Sequence, residues 1–175
     1  GKGFIRGVEM SYDVIGILKK NDNSKEHPLA KRILEREVRL NPYYLKNKNL
    51  READLTGVHL RGVFLEDVNL RWANLEGANL EEANLETAHL EGANLQGSNL
   101  EGANLKGTNL RGAILKKVHL EGANMLGAHL ENSNLEGAYL TGSNPQHAHF
   151  ERANLRLAHL DKSELKNSHF EEANM

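Results

Sequence analysis

Leucine dominates every fifth position from Leu50 to the end of the chain, and the phase of the pattern never slips. We call the residue that ends each five-residue unit the centre, and it is Leu in 21 of 26 units. The position two before the centre is Ala in 15 units, and the position between them is Asn in 14 and His in seven. A period of five fits neither the 3.6-residue repeat of an α-helix nor the two-residue alternation of a β-strand.

Each unit has one small apolar residue and one large apolar residue, two positions apart, and its other three positions are mostly polar. The two apolar side chains of each unit should therefore point inward. All 12 glycines after residue 45 lie two residues past a centre. Glycine accepts a positive φ at no steric cost, so this phase predicts a bend in every unit. A unit of this kind cannot bury its leucine alone and must stack on copies of itself, as in a solenoid.

Units such as ANLEG, ANLEE, ANLQG and ANLKG resemble the A(D/N)LXX repeats of the pentapeptide-repeat family, and the resemblance covers residues 46–175 without a break. It implies an all-β fold, a right-handed quadrilateral parallel β-helix in which four units form one 20-residue coil. The 26 units would then make about six and a half coils, a rod about 30 Å long at the usual spacing of paired strands. Side chains 20 residues apart should therefore stack in columns.

Residues 1–45 have no repeat and form an N-terminal extension with nine Lys/Arg and six Asp/Glu, whereas residues 46–175 have 13 and 18. The stretch HPLAKRILEREVRLNP predicts a helix over about 28–40 with Pro28 in its first turn. We expect this helix to cap the β-helix as a short α-helical lid. Its apolar stripe is Ala30, Ile33, Leu34 and Val38, and an upstream face of Phe4, Val8, Tyr12, Ile15 and Leu18 fits either a helix or a strand.

The composition argues against several classes of protein. The chain has no cysteine, which excludes disulfides, a thiolate nucleophile and a thiolate zinc site. A net charge of −2 argues against direct nucleic-acid binding, and no apolar run is long enough to span a membrane. There is no nucleophile elbow or phosphate-binding glycine loop, so we expect no enzyme and no cofactor. The serines of the repeats mostly occupy inward positions (Ser98, Ser133, Ser143, Ser163, Ser168).

One expected column carries histidine in three successive coils, at His129, His149 and His169, followed two residues later by glutamates. Imidazole and carboxylate groups bind zinc and similar ions, so these histidines are candidates for a metal site or a pH-responsive site. The alternative is that this position accepts any planar polar group that bonds to the neighbouring turn.

A second column carries Glu81, Glu101 and Glu121. Members of the family that act on DNA gyrase imitate DNA with a more uniformly negative surface, whereas arginines and lysines interrupt this one. The alternative is an ordinary solvated face. Apolar side chains at outward positions, Trp72, Leu126 and Tyr139 among them, either add to an interaction face or, as for Trp72 and Phe64, pack beneath the helix.

Pro145 occupies a centre, where it removes a backbone donor and replaces Leu, so we expect a local bulge or bent coil there. At the other end of the array, the final coil has no lid in this sequence. We therefore expect a longer natural chain, an end closed poorly by Phe170 and Met175, or a homodimer through the C-terminal coil.

Our leading interpretation is a non-catalytic scaffold for protein–protein interaction with an unknown partner. The alternatives are a DNA mimic directed at gyrase and a metal or pH sensor built on the histidine column. The cytoplasm is the default location, and a leader removed before Gly1 would instead indicate the periplasm or the thylakoid lumen.

Overall fold

The computed structural model describes residues 13–19 and 27–175. It begins with two helices, α1 (Val14–Leu18) and α2 (His27–Leu40). Asp13 caps α1 by accepting the amide of Gly16 at 2.8 Å. The predicted helix over 28–40 corresponds to α2. Of the upstream apolar face, Ile15 and Leu18 lie in α1, and the other three residues lie outside the described ranges.

From residue 49 the chain winds into a parallel β-helix. The residue before each centre pairs with the residue 20 positions later, from Asn49–Asn69 to Asn154–Asn174. The paired strands are one residue long, at position 49 and every fifth residue to 159, then at 169 and 174. Four such positions pass before the register returns, so each coil contains four units, as the resemblance to A(D/N)LXX repeats implies.

The backbone of the repeat is almost fully hydrogen-bonded, as the five consecutive residues 70–74 illustrate. The amides of Leu70 and Trp72 donate to the following coil at 2.7 and 3.0 Å, and the amide of Asn74 donates to the preceding coil at 2.9 Å. Ala73 closes the turn by donating to the carbonyl of Leu70 at 3.0 Å. Coils are therefore joined by three backbone hydrogen bonds per unit, which offsets the lack of long strands.

The remaining amide of each unit explains the preference for asparagine. The amide of Arg71 donates to Oδ1 of Asn69 at 3.2 Å, and the amide of Glu81 donates to Oδ1 of Asn79 at 3.0 Å. This contact is the asparagine-stabilised turn that short polar side chains form with the backbone two residues on.

The residue two positions after each centre has a φ between 52° and 68°. All 12 repeat glycines occupy this position, which confirms the predicted bend. Fourteen other residues, including Trp72 and Leu157, adopt the same left-handed conformation. Glycine is therefore favoured at this position and not required.

The centres and the small residues two before them fill the interior. Nearly all the leucines and alanines from Leu45 to Leu155 are inaccessible to solvent. Buried serines satisfy their hydroxyls on the backbone, as where Ser98 donates to the carbonyl of Leu95 at 2.8 Å. In residues 156–175 the inward side chains are only partly covered, with Leu165 36% exposed.

The N-terminal segment caps the first coil. Three amides of that coil have no preceding coil to which they can donate, and each finds an acceptor in the helical segment. The acceptors are the carbonyl of Leu18 for Asp54 (2.7 Å), the carboxylate of Glu35 for His59 (2.9 Å) and the carbonyl of Pro42 for Phe64 (3.0 Å). The apolar residues of α2, Ala30, Leu34 and Val38, are buried in the same core.

The bulge expected at Pro145 is wrong. Pro145 is buried, its carbonyl closes an ordinary turn with the amide of Ala148 at 2.9 Å, and the winding continues in phase. The local change is that proline has no N–H to donate to the next coil, and the bridge between positions 144 and 164 is absent from this column. Among the described residues, no helix is long and apolar enough to cross a membrane.

Candidate functional site

The outward residues whose centres lie at 50, 70, 90, 110, 130, 150 and 170 form what we call the His–Glu column. Its residues alternate by a simple rule. Where the residue before the centre is Asn, the residue after the centre is Arg (Asn49/Arg51, Asn69/Arg71, Asn109/Arg111). Where the residue before the centre is His, the residue after the centre is Glu (His89/Glu91, His129/Glu131, His149/Glu151, His169/Glu171).

The two residue types complete the turn differently. Asparagine accepts the amide two residues on, whereas histidine has no carbonyl oxygen with which to do so. Instead its Nδ1 lies near the carboxylate two residues on, at 3.4 Å for His129–Glu131 and 3.0 Å for His149–Glu151.

Arginines of this column reach across to the next coil. The guanidinium of Arg71 lies 3.2 Å from Nδ1 of His89 and 2.9 Å from Oε1 of Glu91. Arg111 repeats the arrangement, with Nη2 at 2.9 Å from Nδ1 of His129 and 2.8 Å from Oε1 of Glu131. In both coils a cation therefore lies between an imidazole nitrogen and a carboxylate.

The next His–Glu pair has no such arginine, because residue 131 is itself a glutamate. His149, Glu151 and His169 instead form a compact group, with one potential ligand atom from each within 4.8 Å of the others. The rings of His149 and His169 are parallel, 4.7 Å between centroids and 4° between planes. We call these three residues the His–Glu–His cluster.

The cluster differs from the sequence prediction in its membership. His129 stacks on His149 at 5.0 Å, but its Nδ1 already faces Arg111, so it lies in the column without joining the cluster. Glu151 joins instead. The spacing of 20 residues reveals the three histidines in the sequence, and it also reveals the arginines of the same column. The presence or absence of an arginine is what distinguishes the coil of His129 from the coil of His149.

Two carboxylates of this column are held in their charged form. Burial acts to raise the pKa of Glu131, but hydrogen bonds from its own amide and from Arg111 lower it overall. Burial likewise opposes the lowering of the Glu151 pKa, which hydrogen bonding to His149 produces.

On the opposite edge of the coil, Glu81, Glu101 and Glu121 stack in register, and we call them the acidic column. Arg61 contacts Glu81 at 3.2 Å, and Nδ1 of His119 lies 3.3 Å from Glu121. Glu101 has no ion pair among the described residues. The column is therefore partly neutralised and most acidic in its middle.

Tyr139 lies on this same edge, stacked between His119 and His159 at centroid distances of 4.7 and 5.1 Å. The coil thus brings Tyr139 beside the acidic column. It places the other two proposed face residues elsewhere, Trp72 in the His–Glu column and Leu126 in the column that contains Phe64 and Pro145.

Trp72 and Phe64, which were expected to pack beneath the helix, make their ring contacts with residues outside α2. Trp72 is 58% exposed, and its ring covers Gly92 in the next coil. Phe64 stacks on Tyr43, just after α2, at 4.2 Å. The expectation for Trp72 is therefore wrong, because its left-handed backbone directs the side chain toward the following coil and away from the helix.

A group at the N-terminal end was not anticipated from the sequence. Asp54 contacts Lys31 of α2 at 2.9 Å and Nδ1 of His27 at 3.3 Å. Burial acts to raise the pKa of Asp54, yet hydrogen bonds from the Thr56 side chain, Lys31 and the Thr56 amide lower it to about 2. The signal available in the sequence was aspartate in place of the usual asparagine at this position.

These features define a four-sided repeat solenoid with a filled interior and its polar chemistry on the outer columns. A family model for pentapeptide repeats matches in eight copies, over residues 49–86, 69–107, 103–142 and 146–175. The chain therefore belongs to the pentapeptide-repeat family. No match was found among curated proteins.

Solved structures of the same family are similar to this chain. Rfr23 from the cyanobacterium Cyanothece 51142 is 37% identical over 55% of this chain and 63% of its own, with a TM-score of 0.43. This chain thus matches less than two thirds of the length of Rfr23. QnrB1, a plasmid-mediated fluoroquinolone resistance protein, is 17% identical over 74% of this chain and 84% of its own, with a TM-score of 0.55. HetL from Nostoc sp. PCC 7120, a protein involved in heterocyst differentiation regulation, is 22% identical over 81% and 92%, with a TM-score of 0.37.

Proposed function

We propose that the protein is a non-catalytic scaffold for protein–protein contact, with its specificity carried by the outer columns. The observation that carries the proposal is the constant 20-residue register, which holds outward side chains in fixed rows over successive coils. Leucine and alanine fill the interior, so the groups able to recognise a partner lie on the outside. A rigid row of this kind binds without the ordering cost that a flexible segment carries.

The acidic column and the adjacent Tyr139 are the surface that best fits such a role. Glu101 lies between two acidic neighbours and has no ion pair among the described residues, so a basic partner would relieve repulsion along the column. Tyrosine supplies contact area with little loss of side-chain entropy. The partner should therefore present lysine or arginine side chains spaced along an extended or helical surface.

The test is affinity capture from the source organism with two charge-matched double variants. Glu101→Lys with Glu121→Lys reverses the acidic column. Glu52→Lys with Glu172→Lys makes the same charge change at exposed positions on the opposite edge. We expect one protein to be captured by the wild type and by the second variant, and lost with the first. Equal loss with both variants, or no specific partner with the wild type, would contradict the proposal.

The alternative of a gyrase-directed DNA mimic finds less support in the charges of this chain. Arg61, Arg71 and Arg111 each pair with a glutamate on the next coil, which breaks up any continuous negative track. The similarity to QnrB1 concerns the fold. A gyrase supercoiling assay separates the two functions, since inhibition or drug protection at micromolar protein would favour the mimic.

A further inference from the structure

We propose that the His–Glu–His cluster binds a divalent transition-metal ion of the zinc type. The site consists of His149, Glu151 and His169, on two successive coils of the His–Glu column. It goes beyond the scaffold function, because binding of the ion does not depend on any protein partner.

The donor set suits such an ion. Two imidazoles and one carboxylate are ligands that zinc, nickel, cobalt and copper accept, whereas magnesium and calcium prefer oxygen alone. In zinc sites the ligand bonds are about 2.0–2.2 Å long, so donor atoms lie about 3–4 Å apart. The three donor atoms of the cluster already lie within 4.8 Å of one another. The side chains are partly exposed, so small rotations of the two rings bring them to ligand distance.

A comparison within the molecule supports a cation at this place. In two other coils of the same column, the Nη2 atom of an arginine contacts both the imidazole nitrogen and the carboxylate of a His–Glu pair. These arginines are Arg71 and Arg111. At His149 and Glu151 the residue in the arginine position is Glu131, so this pair, like His169 and Glu171, lacks the positive charge that neutralises the two pairs with an arginine.

The carboxylate of Glu151 also has unused bonding capacity. Its Oε1 faces His149 at 3.0 Å, and its Oε2 is buried without a hydrogen-bond partner. The same oxygen is buried without a partner in Glu66, Glu91, Glu121 and Glu131. A lysine or arginine contacts the carboxylates of Glu66, Glu91 and Glu131. Glu121 faces His119 alone, and the ring stacked on His119 is Tyr139, so no second imidazole completes a site there. No lysine or arginine lies within ion-pair distance of Glu151 among the described residues. A metal ion supplies the missing charge.

The test is isothermal titration calorimetry of the full chain with zinc chloride at neutral pH, with magnesium chloride in parallel. We expect one zinc ion per chain and no heat from magnesium. The variants His149→Asn and His169→Asn should each weaken zinc binding at least tenfold. Asparagine is the commonest residue at this position of the repeat, occurring in 14 units, so the coil should be retained. Circular dichroism checks that it is.

Two further variants separate a built site from unspecific histidine binding. His89→Asn removes a histidine of the same column whose pair already has Arg71, and zinc binding should not change. Glu131→Arg places an arginine 18 and 20 residues before His149 and Glu151, the spacing of Arg111 from its own pair. It should abolish zinc binding while the fold remains intact, as the successive Arg51 and Arg71 show that stacked arginines are tolerated.

Several outcomes would overturn the proposal. They are the absence of zinc heat with the wild type, equal weakening by His89→Asn and His169→Asn, and unchanged binding in Glu131→Arg.

Discussion

The carboxylate of Glu35, on α2, accepts a hydrogen bond from the backbone amide of His59 at 2.9 Å. In every later coil the equivalent amide donates to a carbonyl of the coil before it. Glu35 therefore substitutes for a coil that does not exist, and a side chain completes the hydrogen bonding of the first coil.

Replacing Glu35 by alanine should lower the free energy of unfolding by about 1 kcal/mol, because the amide of His59 loses a charged acceptor and regains only water. Glu35→Gln should cost less than half of this, since the amide oxygen of glutamine still accepts. Urea denaturation measures both. Glu37→Ala, a change of the same size on the same helix, is the control and should have little effect. Equal losses from Glu35→Ala and Glu37→Ala would contradict the capping role.

Gly92 and Gly112 form a matched pair, in the same column and with φ of 66° and 65°. A β-carbon on Gly112 would meet nothing, whereas one on Gly92 would overlap the ring of Trp72. Gly112→Ala should cost about 1 kcal/mol through the left-handed backbone alone, and Gly92→Ala about 2 kcal/mol because the ring must also move.

Fluorescence distinguishes the two variants, because Trp72 is the only tryptophan. We expect the emission maximum to shift in Gly92→Ala and to stay unchanged in Gly112→Ala. An identical emission spectrum in both would show that Trp72 does not cover Gly92 in solution.

Asp54 should make the cap sensitive to acid. Its pKa in the folded protein is about 2, lowered from 3.8, so the charged form is favoured by folding. The stabilisation is present above pH 3.8 and is lost as the pH falls toward 2. We expect it to be about 1 kcal/mol, since a third of the side chain is exposed and solvent screens the pair.

Thermal unfolding as a function of pH tests this, with Asp54→Asn as the comparison. Asparagine retains the turn hydrogen bond and removes the charge, so the variant should be less stable than the wild type at neutral pH. The two curves should converge near pH 2. Parallel curves would show that Asp54 does not couple folding to pH.

Pro145 should be replaceable with a gain in stability. Pro145→Leu restores a backbone donor toward the next coil and supplies the side chain found at most centres. We expect an increase of about 1 kcal/mol, since the new hydrogen bond and methylene burial exceed the entropy that proline removes from the unfolded chain. Thermal or urea denaturation measures it, and a loss of stability would show that the interior at residue 145 has adapted to proline.

The repeat was readable from the sequence because each unit satisfies its own local needs. The centre is buried, the small residue packs beside it, and asparagine accepts the amide two residues on, so the same residue types recur, as at Leu70, Ala73 and Asn74. The number of units per coil was not readable from the period alone. It came from the family resemblance, since a bend every five residues is compatible with other windings.

What the sequence did not show depends on contacts between coils. The acceptor role of Glu35 requires knowing how α2 lies on the first coil, and the position of Trp72 requires knowing which way a left-handed residue directs its side chain. The arginines beside the histidine column were present at a spacing of 20. Their importance emerged only when Arg111 was seen to contact His129 and no counterpart was found at His149.

The central claim is that residues 20 apart lie directly over one another, and it can be tested with cysteine pairs because these 175 residues include no cysteine. Asn74 and Asn94 are bridged, and their side chains are hydrogen-bonded at 3.1 Å. The variant with cysteine at both positions should form an intramolecular disulfide under mild oxidation, detectable by mass spectrometry of the digested protein. Cysteines at 74 and 99, 25 apart, should not. Cross-linking of the second pair in preference to the first would contradict the 20-residue coil and the columns built on it.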